Sequence, residues 1–489
     1  MTQPSSADVN ASLDADVLLL INGQWQPGSA QRWQPIEDPA RQTVIGRMAC
    51  AEDTDIERAL SAADRSFATW RHTSARERRA LLLNAAALLS ERSETIARQL
   101  TLEQGKPLQQ ARNELAAACE VVEWFAEEAV RAYGQVIPAR QAQVMQYTLK
   151  TPVGPVAAFT PWNFPIGQLV RKLCAALAAG CTLIAKAAED TPASPTALFG
   201  CFHDAGFPAG VINLLYGDPE HISSRLITDP RIRKISFTGS TAVGKHLAQQ
   251  AGRHMKRITM ELGGHAPAIV CADADIATAA RQLAQARFYN AGQVCITPTR
   301  ILVHADVVDT FTHQFAEAAR SLKAGHGLAP DTTLGPMATA RGAAHLRALR
   351  DDALAQGGKA VLLPTAEQEH GQFVLPSIVR GVPLTARVMN EEPFGPLTPI
   401  NAFTCLDDAI AEANRLPYGL AAYGYSRDIG TLHRLATGIE SGMLSLNHCD
   451  LADPEQPFGG LKDSGYGSEG GNSAIQCYLD ERFITCNAG

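Results

Sequence analysis

The chain has 489 residues, a formal charge of −7, and hydrophobic and charged fractions of 46% and 19%. This length exceeds the size at which a single hydrophobic core keeps growing, so we expect at least two domains. No block of Lys or Arg is present, which argues against nucleic-acid and acidic membrane partners. Small-molecule chemistry is therefore the default expectation.

The first 16 residues carry no Lys or Arg and no sustained apolar stretch, so they fit neither a secretory signal nor an Arg-rich transit peptide. No run of 18 uncharged apolar residues occurs that would predict a membrane span. The eleven cysteines form no Cys-x-x-Cys pair and no zinc-ligand spacing, so we expect no metal site. These features favour a cytoplasmic protein with mostly buried thiols.

Helical periodicity extends from Thr54 to Ala129, with an interruption at residues 105–107. The next segment, residues 135–149, lacks helical periodicity and is predicted to be an excursion such as a β-hairpin. From residue 153 onward, short β-branched runs alternate with helical patterns, which is typical of a parallel sheet covered by helices. A doubly wound, nucleotide-binding arrangement is the expected result.

The elements of this region are predicted in two series. In the first series the strands are 153–159, 182–186, 211–215, 234–237 and 257–261, and the helices are 169–179, 194–205, 219–226 and 241–251. The second series consists of segments 266–270, 276–289, 299–304 and 307–322. Because the strands and helices alternate again, the second series predicts a second α/β domain.

Cys295 ends the sequence Asn-Ala-Gly-Gln-Val-Cys, directly after a helical pattern, where a loop can present its sulfur to a ligand. A lone cysteine is usually a buried structural thiol. Covalent catalysis by sulfur also needs a base and an oxyanion donor from elsewhere in the chain. Cys295 is therefore a candidate nucleophile only if such partners are found.

Two polar residues are candidates for these partners. Glu261 ends an apolar strand before paired glycines and is a candidate general base, although a strand-end Glu facing water is the simpler interpretation. Asn163 lies in the turn Pro-Trp-Asn-Phe-Pro and is a candidate neutral donor, although Asn is common in turns.

Residues 237–244, Phe-Thr-Gly-Ser-Thr-Ala-Val-Gly, follow a strand and open a helix whose N-terminus can receive a phosphate. Alone this signal is weak, because it matches neither the G-x-G-x-x-G fingerprint nor, with His246, a complete P-loop. Residues 391–396, Glu-Glu-Pro-Phe-Gly-Pro, are a second candidate ligand loop.

Taken together, these segments resemble the aldehyde dehydrogenase superfamily in order and spacing, from about residue 20 to residue 478. The matching segments are residues 161–165, 186, 237–244, 261–264, 292–295, 392–396 and 457–460. The resemblance implies an α/β fold with a Rossmann-like cofactor domain, a second α/β catalytic domain and a small β-hairpin oligomerisation element. The corresponding residues are 1–133 with 152–263, then 264–463, and finally 134–151 with 464–489. A homodimer or homotetramer is expected.

By this resemblance, Cys295 is the nucleophile, Asn163 stabilises the oxyanion and Glu261 activates the water that hydrolyses a thioester. The residues assigned to NAD(P) are Trp162, Lys186, Glu189, Gly239, Ser240, Glu392 and Phe394. NAD is expected over NADP, because the carboxylate of Glu189 can accept hydrogen bonds from ribose hydroxyls and would repel a 2′-phosphate. Lys186 is the competing feature, since its ammonium could pair with that phosphate.

The resemblance is strongest to the succinate-semialdehyde dehydrogenase branch, through residues 171–172, 185–192 and 464–471. Tyr289 replaces an arginine that binds the succinyl carboxylate in that branch, the serine expected before Pro457 is absent, and Thr297 replaces a second cysteine. The residues assigned to the substrate are Arg171, Tyr289 and Phe458. Arg171 can bind a distal carboxylate or sulfonate, although an Arg directed to solvent or to a neighbouring acid is an equal alternative.

We therefore expect NAD(P)-dependent oxidation of an aldehyde with a distal acidic group, such as succinic semialdehyde. The alternatives are a broad-range aromatic or aliphatic aldehyde dehydrogenase and a non-enzymatic binding or structural protein on the same fold. An enzyme that transfers the acyl group to coenzyme A is disfavoured, because that group generally lacks a base at the position of Glu261.

Overall fold

The computed structural model describes residues 12–13, 15–365 and 367–487. Two large, mainly parallel sheets carry helices on their faces, which confirms the predicted α/β class. None of the helices in these ranges is both long enough and apolar enough to cross a membrane.

The N-terminal part of the chain forms short strands and four helices. Its elements are β1 (Leu19–Ile21), β2 (Gln24–Gln26), β3 (Trp33–Asp38), β4 (Thr43–Ala49), α1 (Asp53–Trp70), α2 (Ala75–Glu91), α3 (Ser93–Gln104) and α4 (Leu108–Ala129). The predicted interruption at residues 105–107 is confirmed, since Gly105 ends α3 in the left-handed conformation and α4 begins at Leu108. The breaks after α1 and α2 were not predicted, although Ser74 begins α2 with a capping box.

The middle of the chain contains the first predicted α/β series. Its elements are β5 (Val136–Ile137), β6 (Val144–Pro152), β7 (Val156–Phe159), α5 (Pro165–Ala179), β8 (Leu183–Lys186), α6 (Ala193–Asp204), β9 (Ile212–Leu215), α7 (Pro219–Thr228), β10 (Lys234–Thr238), α8 (Thr241–Arg253) and β11 (Arg257–Glu261). Helix α5 begins at Pro165 rather than at the predicted Leu169, since proline fits the first turn of a helix, where its missing N–H is not needed.

The remainder of the chain contains the second series and the C-terminal strands. Its elements are β12 (Ala266–Val270), α9 (Ile276–Phe288), β13 (Pro298–His304), α10 (Val308–Arg320), α11 (Ala340–Ala355), β14 (Lys359–Leu362), β15 (Ser377–Arg380), β16 (Leu397–Phe403), α12 (Leu406–Asn414), β17 (Tyr418–Gly419), β18 (Ala421–Tyr425), α13 (Ile429–Gly438), β19 (Met443–Leu446), β20 (Leu461–Lys462), β21 (Gly465–Tyr466), α14 (Gly471–Gln476) and β22 (Leu479–Asn487). Single-turn 3-10 helices cover Tyr289–Gly292 and Arg387–Met389.

The first large sheet has the strand order β2-β1-β9-β8-β7-β10-β11-β21. Strands β7 to β11 are parallel, and the chain passes from the central β7 to β8 and β9 on one side and to β10 and β11 on the other. In such sheets, ligands bind beyond the carboxyl ends of the strands, at the point where the strand order reverses. That point lies between β7 and β10.

The second large sheet has the order β14-β15-β16-β13-β12-β18-β19, with β14 antiparallel to its neighbour. The buried apolar side chains form separate clusters, one around the first sheet and α1 to α8 and another around β12, β13 and their helices. This separation fits the two-domain expectation, although the predicted residue boundaries stay a prediction.

A three-stranded antiparallel sheet, β22-β6-β5, contains the predicted excursion at residues 135–149. The described part of the C-terminal segment, residues 464–487, contributes strands to two different sheets. Strand β21 pairs with β11 in the first large sheet, with Glu261 opposite Gly465, and only β22 pairs with β6.

Candidate active site

A cavity of about 380 Å³, here called cavity A, opens at the carboxyl ends of β7, β10 and β11. The predicted site residues that line it are Trp162, Asn163, Gly239, Ser240, Glu261, Cys295, Glu392 and Phe394. These residues come from both large sheets and from segments more than 200 positions apart in the chain. Lys186 and Glu189 lie outside this lining, after β8.

The loop before Cys295 is held in an unusual backbone conformation. Asn290 and Ala291 have φ angles of 50° and 53°, in the left-handed region that non-glycine residues rarely adopt. Hydrogen bonds hold this loop, because the Asn290 N–H donates to Gln110 Oε1 at 2.9 Å and Gln293 Nε2 donates to the Asn290 carbonyl at 3.0 Å. Such strain persists only where the surroundings determine it, so the loop fixes the position of the sulfur.

Asn163 is buried against this loop. Its Nδ2 donates to the Gln293 carbonyl at 3.1 Å, and its own carbonyl accepts from Lys106 Nζ at 2.8 Å and from Asn290 Nδ2 at 3.0 Å. The amide is thus fixed beside the Cys295 loop, facing cavity A.

Glu261 is only 1% exposed, so the interpretation of a strand-end Glu facing water is wrong. Neither carboxylate oxygen has a hydrogen-bond partner among the described residues. Burial, with a smaller contribution from the nearby Glu469, raises the pKa of Glu261 to about 7, and Lys172 opposes the shift. A carboxyl group with this pKa exists in both protonation states near neutral pH, which suits proton transfer.

Cys295 is half-buried at the boundary of cavity A. Burial raises the pKa of its thiol well above the ordinary value, and the carboxylates of Glu261 and Glu392 add to the shift. The resting sulfur is therefore a neutral thiol that needs a proton acceptor before it can attack a carbonyl carbon. The carboxyl group of Glu261, which lines the same cavity, is the candidate proton acceptor.

Paired glycines allow the segments of the site to approach closely. A Cβ atom on Gly263 would lie 2.8 Å from Glu392 Oε2, and one on Gly264 would lie 3.0 Å from the Cys295 carbonyl oxygen. Burial raises the pKa of Glu392 to about 8. Phe394, with φ +33°, packs edge-to-face on Trp162 with ring centroids 5.7 Å apart.

The opposite end of cavity A fits a phosphate group. Ser240 caps α8, its Oγ accepting from the Val243 N–H at 3.4 Å, so the free N–H groups of the first turn face the cavity. A Cβ on Gly239 would lie 2.4 Å from the Phe237 ring, which leaves no room for a side chain there. After β8, Lys186 Nζ donates to Glu189 Oε2 at 2.7 Å. These features are compatible with a dinucleotide extending from α8 to Cys295.

A second cavity of about 320 Å³, here called cavity B, meets the other side of Cys295. The predicted substrate residues Arg171, Tyr289 and Phe458 all line it. Tyr289 stacks parallel to Phe164, with ring centroids 6.4 Å apart, and the Arg171 guanidinium lies 5.1 Å from the centroid of the Phe458 ring. Cavity B is thus an aromatic-walled pocket with a single arginine.

Arg171 is 8% exposed, so it does not extend to solvent. Its Nη atoms donate to the backbone carbonyls of Ala452 and Glu469 rather than to an acidic side chain. The two alternatives considered for Arg171, a side chain directed to solvent and one paired with a neighbouring acidic side chain, are therefore both wrong. Arg171 holds the wall of cavity B while facing its interior.

The structure adds residues that the motifs did not reveal. Lys106, within the interruption between α3 and α4, forms a buried ion pair with Glu114, with 2.6 Å between Nζ and Oε2. Lys172 Nζ binds Thr238 Oγ1 at 2.7 Å and the carboxylate of Glu469, behind Glu261. Gln168 lines both cavities. Lys172 and Glu469 lie in segments 171–172 and 464–471, which resemble the succinate-semialdehyde dehydrogenase branch. That resemblance assigned no role to either residue.

The doubly wound sheet, with the N-terminus of α8 and the Cys295 thiol both at cavity A, defines the class as a doubly wound α/β protein with a cysteine in its cleft. Comparisons with known proteins give the family. The model of the aldehyde dehydrogenase family matches residues 25–484. The chain therefore belongs to this family, and it is an NAD(P)-dependent aldehyde dehydrogenase.

Several named relatives match almost the whole chain. The 4-(hydroxymethyl)benzenesulfonate dehydrogenase TsaD1 of Comamonas testosteroni is 46% identical, covering 95% of this chain and 97% of its own. The NADP(+) succinate-semialdehyde dehydrogenase GabD of Escherichia coli is 39% identical, with coverages of 95% and 96%. The crystal structure of succinate-semialdehyde dehydrogenase from Burkholderia pseudomallei has a TM-score of 0.94 at 38% identity, covering 96% of this chain and 98% of its own. These relatives support the predicted resemblance to the semialdehyde branch.

Proposed function

We propose that this enzyme oxidises its aldehyde through a thioester on Cys295. The observation that carries the proposal is the meeting of the Cys295 thiol and the buried, unpaired Glu261 carboxylate in cavity A, opposite the α8 N-terminus. Glu261 accepts the thiol proton, and the sulfur forms a bond to the aldehyde carbon. The Asn163 amide and the Cys295 backbone N–H stabilise the resulting oxyanion.

A bound nicotinamide would supply the hydride acceptor, and loss of a hydride from the tetrahedral adduct leaves a thioester on the sulfur of Cys295. Glu261 releases the thiol proton to solvent and then removes a proton from a water molecule that attacks the thioester carbon. Glu261 returns this second proton to the sulfur as the bond to carbon breaks. The C–S bond breaks, the carboxylic acid leaves, and the thiol of Cys295 is restored. Trp162, Glu392 and Phe394 would hold the nicotinamide end, with Gly239 and Ser240 at the phosphates.

The test is NADH formation by Cys295→Ala with a panel of aldehydes. We expect no turnover, because no other group can form the thioester. Cys449→Ala, which also removes a half-buried thiol of the second domain, is the matched control and retains activity. Steady turnover by Cys295→Ala would contradict the mechanism.

For the substrate, we infer an aldehyde that carries a distal acidic group, as succinic semialdehyde does. Arg171 is the one Lys or Arg among the described residues that line cavity B, and a guanidinium can bind a carboxylate or sulfonate. The names of the relatives TsaD1 and GabD likewise indicate a sulfonated and a carboxylated compound. The aromatic walls formed by Phe164, Tyr289 and Phe458 favour the second candidate, a broad-range aromatic aldehyde dehydrogenase.

These two candidates differ in what Arg171→Leu does. If Arg171 binds the distal acid, the variant raises KM for succinic semialdehyde and 4-carboxybenzaldehyde much more than for benzaldehyde. Because Arg171 also holds two backbone carbonyls, benzaldehyde reports any general damage to the pocket. An equal rise in KM for all three aldehydes would favour the broad-range enzyme.

For the cofactor, we infer a preference for NAD over NADP. The carboxylate of Glu189 already neutralises Lys186, so a 2′-phosphate would meet a negative charge and no free ammonium. The preference is measured as the ratio of kcat/KM for the two cofactors, and Glu189→Gln should shift that ratio toward NADP. A wild-type preference for NADP, the cofactor named for GabD, would contradict the inference.

A further inference from the structure

Gln168 lies at the boundary between cavity A and cavity B. Cavity A, on the α8 side, and cavity B, on the Arg171 side, have two lining residues in common among those described, Cys295 and Gln168. In a substrate whose aldehyde carbon is bonded to Cys295, the atoms next to that carbon therefore lie close to Gln168.

The side chain of Gln168 is buried and has no partner. The residue is 6% exposed, and its Oε1 is buried without a hydrogen bond to any part of the described chain. Buried side-chain polar atoms in native proteins are nearly always hydrogen-bonded, so each exception requires an explanation. A packing role alone does not explain why an amide, rather than an apolar side chain, stands here.

The neighbouring polar groups have hydrogen-bond partners, and Asn163 and Arg171 already have assigned roles in the proposed function. The Asn163 amide donates to the Gln293 carbonyl, and the Arg171 guanidinium donates to the carbonyls of Ala452 and Glu469. The Glu114 carboxylate, on the wall of cavity B, accepts from Lys106 and from the N–H groups of Ile166 and Gly167. Gln168 is thus the neutral amide shared by both cavities to which the proposed mechanism assigns no role.

We propose that Gln168 is a specificity-determining residue whose amide hydrogen-bonds a hydroxyl group on the carbon next to the aldehyde. A neutral amide offers both a donor and an acceptor, and a hydroxyl group is its complement because it also does both. A carboxylate only accepts hydrogen bonds, so it would leave the amide oxygen of Gln168 without a donor. This inference rests on the proposed thioester mechanism, since that mechanism places the aldehyde carbon at Cys295. It narrows the proposed substrate class to 2-hydroxy aldehydes, with the distal acid directed toward Arg171 as proposed above.

The experiment compares propanal, 2-hydroxypropanal and 3-hydroxypropanal as substrates of the wild type, Gln168→Leu and Gln314→Leu. Leucine removes the amide at nearly constant size, and Gln314 is the matched control because it lies on α10 with a buried, unpaired Oε1 outside both cavities. Each substrate has the same intrinsic reactivity with every variant, so the change in the ratio of kcat/KM values isolates the contact. A site built to hydrogen-bond a hydroxyl rejects analogues that lack it.

We expect Gln168→Leu to lower the ratio of kcat/KM for 2-hydroxypropanal over propanal about tenfold. The same variant should change the ratio for 3-hydroxypropanal over propanal less. Gln314→Leu should leave both ratios as in the wild type. An unchanged ratio in Gln168→Leu would overturn the assignment, even if all three rates fall together, since the amide would then act on the oxyanion or on packing. A wild type that forms NADH from succinic semialdehyde but from none of the three propanals would overturn the assignment alone. A wild type that also forms none from succinic semialdehyde or benzaldehyde would overturn the proposed function as well.

Discussion

The charges next to Cys295 keep its thiol protonated at rest. Both Glu261 and Glu392 are carboxylates, and each raises the pKa of the thiol in addition to burial. Burial in turn raises the pKa of Glu261 to about 7 and that of Glu392 to about 8. The site therefore keeps its nucleophile unreactive until a proton can move to Glu261.

We expect the pH profile of Cys295 alkylation by iodoacetamide to lie above that of an ordinary thiol. In Glu261→Gln the profile should move to lower pH, because removal of a negative charge favours the thiolate. The second-order rate constant, measured with labelled iodoacetamide from pH 6 to pH 11, gives the apparent pKa. A shift to higher pH in Glu261→Gln would show that the carboxylate stabilises the thiolate instead.

Gly263 gives a second prediction at the scale of single residues. Gly263→Ala would place a Cβ 2.8 Å from Glu392 Oε2, so the carboxylate must move and kcat/KM should fall at least about tenfold. Gly252→Ala is the matched control, since a Cβ there meets nothing within 4 Å and the position is helical. Equal steady-state activity of the two variants would mean that the position of Glu392 is unimportant.

Two helices and a turn hold Asn163 in place. Lys106, in the turn between α3 and α4, pairs with Glu114 of α4, and Glu114 accepts from the first N–H groups of α5. Lys106 Nζ also donates to the Asn163 carbonyl and lies 4.1 Å from the centroid of the Phe164 ring. This buried ion pair thus connects α4 to the start of α5, where the candidate oxyanion donor stands.

Removing one member of a buried ion pair leaves an uncompensated charge, which costs about 3–5 kcal/mol. We therefore expect Lys106→Met to lower the free energy of unfolding more than the double variant Lys106→Met/Glu114→Gln does. Urea denaturation followed by fluorescence measures both. Equal losses in the two proteins would show that the pair contributes through packing rather than through its charges.

The sequence predicted the elements of the first sheet well because each has a strong local pattern. The strand and helix periods, the glycines and the prolines identify β7 to β11 and α5 to α8 to within a few residues. The ion pairs Lys106–Glu114 and Lys172–Glu469 and the unpaired amide of Gln168 were not predictable in the same way. Lys172 and Glu469 are 297 positions apart, and their contact depends on tertiary packing that no local pattern specifies.

At the scale of the whole molecule, the three-stranded sheet β22-β6-β5 leaves apolar side chains exposed. Met145 and Leu149 of β6 are 55% and 43% exposed and point to the same face, and Val136 of β5 is 83% exposed opposite them. Strand β22, nine residues long, is at the edge of this sheet. Exposed apolar patches and long edge strands are typical of association surfaces.

We propose that this sheet joins copies of the chain into a homodimer or homotetramer. Sedimentation equilibrium should give two or four times the chain mass, and Met145→Lys/Leu149→Lys should lower it. Val44→Lys, at a 63% exposed residue of β4, is a control that should leave the mass unchanged. A wild-type protein with the mass of one chain would contradict the proposal.

The central claim is that Cys295 carries the acyl group and Glu261 releases it. Its most direct test is the intact mass of Glu261→Gln after mixing with NAD and succinic semialdehyde or benzaldehyde, together with the amount of NADH formed in the first turnover. We predict no more than one NADH per active chain, formed more slowly than in the wild type because glutamine accepts no thiol proton. We also predict an added acyl mass that maps to Cys295, because hydrolysis of the thioester lacks a base. The absence of any adduct on Cys295, with steady turnover at the wild-type rate, would contradict the account.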